Sequence, residues 1–466
     1  MTGWSHTGFR GGQANWDRRD YNPPNFRGPA IPTLIDDPQP EAPPAGETLI
    51  PITVDAPTDR RILALHLVAV FSLGVGISLS YTLPFLAQKR FGAGEWQSWV
   101  LTSAVPISQF LTVYWNHLYA RMPISRYLTL ITLCACAPIA LIAATTTIEP
   151  ILILFVVAAW AGAGGGAAVS PINADVLRAC YTPKMRGRIF GLLMTAQFLG
   201  VMIGGQAAGK WSDLNPDGYR MFLPIIAGIL ALGLFSYRMI TQTPVFKARS
   251  LPIVTNGTRW WTPLRDMTTI LREDKRFAAY ETAFMSYGIG WMICTALLPL
   301  IGKGRLALSN SEYSIAVIVV YQVVSILMLP LMGRVADRAG PVKLAAVSFL
   351  WLTIFPIGLI FTTSGDTLRI FSALYAMGMT GVHLTWTLGP VAFAPEPSKA
   401  AQYLAIHGTL VGVRGVVAQG IGVALYAITG EFWVPLVIAA AGFLWAAHRM
   451  RRLGEEMRAD TSAAAA

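Results

Sequence analysis

Residues 83–90 read Leu83-Pro84-Phe85-Leu86-Ala87-Gln88-Lys89-Arg90, and residues 298–305 read Leu298-Pro299-Leu300-Ile301-Gly302-Lys303-Gly304-Arg305, an offset of 215. An offset of 217 carries Glu95 to Glu312, Arg121 to Arg338, Arg126 to Lys343, Gly164 to Gly381, Gly191 to Gly408 and Gly205 to Gly422. One two-residue slip in a loop reconciles the two. Six aligned positions in order, spread over both halves, mark an internal duplication.

What is duplicated follows from composition. The 466 residues are 54% hydrophobic and 13% charged, against roughly 25% charged for a soluble domain. So few charges cannot cover the surface of two or three soluble domains, and lipid is the expected solvent. The net charge of +11 does not point to nucleic acid, because Lys and Arg sit at the ends of apolar runs instead of forming a basic stripe. The four cysteines, Cys134, Cys136, Cys180 and Cys294, have neither zinc-ligand nor disulfide-framework spacing and are read as packing residues.

Residues 1–58, with Pro23-Pro24, Pro43-Pro44 and scattered charge, read as a disordered tail. No cleavable signal peptide is expected, since the first long apolar run begins near Ile62. Apolar runs then alternate with short polar breaks, each run long enough to cross about 30 Å of hydrocarbon as helix. The spans are placed at 62–86, 96–119, 127–147, 150–173, 187–209, 221–240, 277–301, 311–333, 343–363, 368–393, 401–427 and 431–448. The fold expected is an all-α membrane protein of twelve transmembrane helices in two six-helix bundles. The domains are a tail (1–58), a first bundle (59–240), a linker (241–276), a second bundle (277–450) and a closing tail (451–466). Within the linker, Leu264, Met267, Ile270 and Leu271 recur at helical spacing among charges, the pattern of an amphipathic interfacial helix.

Orientation follows from the basic residues. With the N-terminus inside, the inner segments hold 24 Lys and Arg besides those of the first tail, eight of them between Arg238 and Arg276, and the outer loops hold seven. Both termini are therefore expected in the cytoplasm, with the protein in the plasma (inner) membrane. Because each half has an even number of spans, the repeats are parallel and related by an axis along the membrane normal. Such a pair encloses a cavity that rocking opens to either side.

Between spans eight and nine the chain reads Gly333-Arg334-Val335-Ala336-Asp337-Arg338-Ala339-Gly340-Pro341-Val342-Lys343. This resembles the loop signature of the major facilitator superfamily, Gly-x-x-x-Asp-Arg-x-Gly followed by basic residues, in its second-half copy. With twelve spans, inside termini and a long central loop, the resemblance covers about 60–450 and implies that family's fold and solute transport by alternating access. It also implies a gate in which Gly333 and Gly340 allow a tight turn and Asp337 accepts hydrogen bonds from a facing helix. Arg338 and Lys343 stay at the headgroups, and the facing element is the start of span five with Arg186 and Arg188. The first-half copy, Asn116-His117-Leu118-Tyr119-Ala120-Arg121-Met122-Pro123, has lost the carboxylate. Span four lacks the buried Arg of many proton-coupled members, so the resemblance does not carry proton coupling over.

Arg414 is the sharpest single residue. It lies about 13 residues from each end of its span, roughly 20 Å along the axis, too far for snorkelling. A charge there costs at least ~2.5 kcal/mol to insert and must face a cavity or a partner. His407, seven residues earlier, shares its face, and Gln197 is its pseudo-symmetric counterpart. His383 and Trp386 share a face at three-residue spacing. Tyr287, Trp291, Tyr321, Gln322, Gln109 and Asn173 complete the candidate substrate site, and Glu281 is the one embedded carboxylate, a candidate for coupling. A buried Arg with few buried acids favours an anionic or carboxylate-bearing solute.

Other signals are weaker. Gly162-Ala163-Gly164-Gly165-Gly166 has no preceding strand and no following Lys-Ser/Thr; Asn256-Gly257-Thr258 is a glycosylation sequon that the expected topology keeps in the cytosol. H-E-x-x-H and G-x-S-x-G are absent from the sequence, so an enzyme has no motif support. The function expected is secondary active transport of a small solute by a monomer, without cofactor or metal. Its partners are that substrate, the bilayer and, as a candidate, a coupling ion such as a proton. The rivals are a transport-inactive sensor or assembly factor of the same fold and a multidrug-type exporter of amphipathic compounds.

Overall fold

The computed structural model describes residues 59–141, 167–249, 262–396 and 399–465. The end of the third expected span, nearly all of the fourth, the first tail and the middle of the linker lie outside the described residues.

The first half contains α1 (Arg60–Phe91), α2 (Glu95–Thr102), α3 (Ala104–Phe110), α4 (Thr112–Arg121), α5 (Ile124–Leu141), α6 (Ser170–Cys180), α7 (Pro183–Leu214), α8 (Tyr219–Thr241) and α9 (Pro244–Arg249). The second contains α10 (Thr262–Glu273), α11 (Lys275–Leu300), α12 (Asn310–Ser314), α13 (Val320–Ala339), α14 (Pro341–Leu352), α15 (Ile354–Phe361), α16 (Gly365–Phe393), α17 (Ala400–Thr429) and α18 (Trp433–Ala465). Two π-helical turns, Ile301–Arg305 and Ile315–Val319, flank α12.

Among the described residues eight helical stretches are long and apolar enough to cross a membrane: Arg60–Phe91, Met185–Leu214, Tyr219–Thr241, Lys275–Arg305, Asn310–Ala339, Pro341–Phe361, Gln402–Thr429 and Trp433–Asp460. The second expected span is instead three short helical pieces, α2 to α4, interrupted at Ser103 and Leu111. The tenth is a single helix of 29 residues, α16.

Local chemistry explains the boundaries. The Asp59 carboxylate accepts from the Arg61 amide at 2.8 Å and caps α1, and Asp274 caps α11 through the Phe277 amide at 2.9 Å. Ser309 and Glu312 form a reciprocal capping box ahead of α12. The turn between α13 and α14 needs φ +76 at Gly340, and that between α17 and α18 needs φ +70 at Gly430, values glycine adopts without steric cost. Where no breaker intervenes the helix continues. α18 runs on to Ala465, through the segment expected as a closing tail, supported by the i,i+4 pair Arg451–Glu455 at 2.8 Å.

Each half packs around its own hydrophobic cluster. One is built from Ile62, Leu73, Tyr127, Leu230, Tyr237 and their neighbours, all in the first half. The other is built from Phe277, Phe284, Phe349, Phe443 and their neighbours, with Phe85 and the partly buried Trp99 reaching in from the first half. The amphipathic α10 lays Met267, Ile270 and Leu271, each half-buried, against the second cluster.

Membrane helices associate through close packing because lipid leaves no hydrophobic drive. At the α1–α7 crossing, a Cβ at Gly74 would overlap the Gln197 carbonyl, and one at Gly200 would overlap the Phe71 carbonyl. Neither backbone group can swing away. Gly200→Val is therefore expected to cost about 1–3 kcal/mol, read as a lower melting temperature of the purified protein in detergent; an unchanged melting temperature counts against this packing account.

Candidate functional site

Two helices of the second half present matching stripes. On α11, Glu281, Phe284, Gly288 and Trp291 follow helical spacing, and on α17 His407 and Arg414 lie two turns apart on one face. Where the stripes meet, His407 Nδ1 lies 2.9 and 3.0 Å from the two Glu281 carboxylate oxygens. Only a protonated Nδ1 donates to a carboxylate, which leaves Nε2 as the free ring nitrogen. Both side chains are buried, at 0% and 3% exposure, and His407 Nε2 has no partner among the described residues.

Arg414 is also buried. Its Nη1 donates to the Phe284 carbonyl, and its guanidinium carbon lies 5.3 Å from the Tyr287 ring centroid and 5.9 Å from that of Trp386. Such faces attract a cation. Nε and Nη2 have no acceptor among the described residues. The guanidinium rests where α11 has no side chain, since a Cβ at Gly288 would overlap its Nε and Cζ. Gly288 is thus the seat of the charge, a residue that sequence reading passes over because it looks like any other packing glycine.

Aromatic rings complete the wall. Trp386 stands edge-on to His407 at 4.8 Å and to Trp291 at 6.4 Å, and Tyr287 stacks on Trp291 at 6.0 Å and on Phe349 at 4.6 Å. His383 lies between the halves, 6.1 Å from Phe198 and 6.4 Å from Tyr321 by ring centroids, with Nδ1 unpartnered among the described residues. Gln322 is buried with an unpartnered Oε1.

The structure does not bring every candidate to this place. Asn173 Oδ1 lies 2.8 Å from His66 Nε2 and accepts from the Tyr237 hydroxyl at 3.1 Å, inside a polar network of the first half. Among the described residues, Gln109 accepts only from the neighbouring Thr112, at 3.4 Å. Gln197 is half-buried on α7, its backbone pressed against α1.

The gate residues are likewise dispersed. Asp337, Arg338 and Arg188 are exposed, and among the described residues Asp337 has no hydrogen-bond or ion-pair partner. Arg186 directs its guanidinium to the carbonyls of Tyr181 and Arg178, at 3.2 and 2.8 Å. Lys343 is exposed at the start of α14, and Gly333 lies within α13.

A carboxylate grip across the halves exists at the opposite end. Asp213 Oδ1 accepts from the Asn310 amide at 2.8 Å and its side-chain Nδ2 at 2.9 Å, while Oδ2 accepts from the Ser311 amide at 2.8 Å. Beside it Lys89 donates to the Leu308 carbonyl at 2.7 Å, and Phe85 stacks on Tyr313 at 4.0 Å. Further along, Trp99 donates to the Val416 carbonyl at 3.1 Å, and Ser103 to Gln419 at 3.2 Å. The halves are tied together at the end away from the basic loops. Sequence reading missed Asp213; the helix-start pattern Ser309-Asn310-Ser311-Glu312 was the signal that something should cap it.

The sequence matches the family profile described as Major Facilitator Superfamily over residues 29–205. No curated protein sequence matches it. Its fold is similar to solved transporters. One is a peptide transporter POT in complex with alafosfalin, at 14% identity and TM-score 0.67, over 84% of this chain and 95% of that one. Another is a POT family transporter in complex with 5-aminolevulinic acid, at 12% identity and TM-score 0.66, over 85% and 95%. A third is the nucleoside transporter NupG, at 15% identity and TM-score 0.62, over 84% and 99%. With these helices and this fold, the chain is a multi-pass membrane protein.

Proposed function

We propose that the chain is a member of the major facilitator superfamily and a secondary active transporter that moves a small, anionic or carboxylate-bearing solute by rocking residues 59–240 against 277–450. The observation that carries this reading is the buried Arg414 guanidinium, held on the Phe284 carbonyl with two donor nitrogens unspent. A buried cation with free donors is costly unless something binds it, and a planar fork suits a carboxylate or phosphate.

Glu281 and His407 supply the coupling. Their hydrogen bond holds a carboxylate a short way from Arg414, so an entering anion competes with Glu281 for positive charge. Protonation of the Glu281–His407 pair would relieve that competition, which links a proton to solute occupancy. Trp291 and Trp386 form the apolar flank of the same site.

The tie at Asp213 and the unengaged Asp337 support a state closed at one end and open toward the basic loops, with Gly333, Asp337, Arg338, Gly340, Lys343, Arg186 and Arg188 forming the gate of the other state. With both termini in the cytoplasm, as the basic loops suggest, the open side is the cytoplasmic one.

The test is reconstituted uptake across a panel of anionic, neutral and cationic solutes, paired with tryptophan fluorescence. A transported anion should quench emission through Trp291 and Trp386, and Trp386→Phe should remove much of that change. Binding without turnover for every solute would instead identify a sensor.

A further inference from the structure

Outside the transport site the chain carries a second built recess. A groove of about 410 Å³ opens on the lipid-facing side of the second half between α14 and α18. Its walls change character along their length. On α14, Leu350 and Val347 are exposed apolar residues, 57% and 59% accessible, and Lys343 follows on the same face toward the basic loops. On α18, Leu444 is 49% accessible, and Arg451 and Arg458 follow at seven-residue steps. Gly454, between them, leaves room at the mouth. A hydrocarbon-lined trough thus ends in a cluster of cations at the level where the helices leave the membrane.

We propose that this groove is a binding site for an anionic phospholipid of the leaflet on the basic-loop side, with an acyl chain along Val347, Leu350 and Leu444 and the phosphate at Lys343, Arg451 and Arg458. The two halves of the groove match the two halves of that molecule. Hydrocarbon gains nothing from a cation, and a free phosphate gains nothing from three exposed aliphatic side chains; a phospholipid uses both. Basic side chains at a membrane surface attract acidic headgroups, and the continuation of α18 beyond the expected span holds Arg458 rigidly at that height. One acid stands at the rim, Glu455, 2.8 Å from Arg451 Nε. It competes with the phosphate for that guanidinium.

Native mass spectrometry of the full chain in dodecyl maltoside, titrated with phosphatidylglycerol and phosphatidylcholine of identical acyl chains, tests this. Phosphatidylglycerol should be retained about tenfold better than phosphatidylcholine. Removing two surface cations in Arg451→Gln/Arg458→Gln should lower its retention by roughly 25-fold, and Glu455→Gln should raise it severalfold by releasing Arg451. Inorganic phosphate at millimolar concentration should not displace the lipid. Equal retention of the two lipids, a preference that survives the double substitution, or displacement by phosphate alone would overturn the proposal. So would a dimer that dissociates on the double substitution, which would assign the face to a second copy of the chain.

Discussion

Arg414→Gln is expected to lower uptake of the transported anion about a hundredfold while the protein still folds. Glutamine keeps a donor near the Phe284 carbonyl but removes the charge, and each hydrogen bond to a charged group contributes about 1.5–3 kcal/mol, so losing one or two accounts for that factor. Arg414→Lys should recover only part of the activity, because an ammonium on a flexible stem cannot present the planar fork. Gly288→Ala offers a separate approach. Its methyl group displaces a mobile side-chain end, not backbone, so stability should change little while apparent affinity for the anion falls roughly tenfold. Proteoliposome uptake and tryptophan quenching, run beside melting temperature, check all three. If Arg414→Gln leaves anionic solutes untouched while a neutral one is lost, the charge has been given the wrong role.

Asp213→Ala should loosen the closed end. Three hydrogen bonds to one carboxylate disappear, together with its favourable position at the start of α12. Asp213 is solvent-exposed, which discounts each bond, and about 1.5–3 kcal/mol in total shifts the ratio of closed to open forms 10- to 100-fold. The readout is alkylation of Ser314→Cys in a background without the four native cysteines, since Ser314 is buried beneath the tie. The rate should rise by that factor in Asp213→Ala and by less in Asp213→Asn, which keeps one acceptor oxygen. Equal rates in all three backgrounds would show that the aromatic stack and Lys89 hold the end shut unaided.

Much of this architecture was legible in the sequence, and the limits have physical causes. Hydrophobic length and the repeat indicate helices in two bundles, because a bilayer imposes a minimum span and duplication preserves it. Seven-residue spacing put His407 and Arg414 on one face, and that is how they lie. Spacing within a helix does not say which faces of two helices meet, so the contact of His407 with Glu281 and the seat at Gly288 were invisible. Asn173 illustrates the converse. It carries the right chemistry for a cavity, yet its partners His66 and Tyr237 claim it. The expected gate at Asp337 is not assembled in this conformation, where the residue is exposed; the carboxylate that joins the halves is Asp213, at the opposite end.

Just after the π turn at Ile301–Arg305, Ala307 takes φ 51, in the stretch where the repeat offset changes from 215 to 217. The second half therefore carries two surplus residues in the short stretch that Lys89 and Asp213 grasp. Duplication supplied two similar lobes, but the hook between them is lopsided: one lobe bears the clasp and the other the lengthened eye. In the proposed rocking cycle, an unequal fastener need not rest midway between the two states, and loop length at this corner would set the resting bias without touching the proposed site.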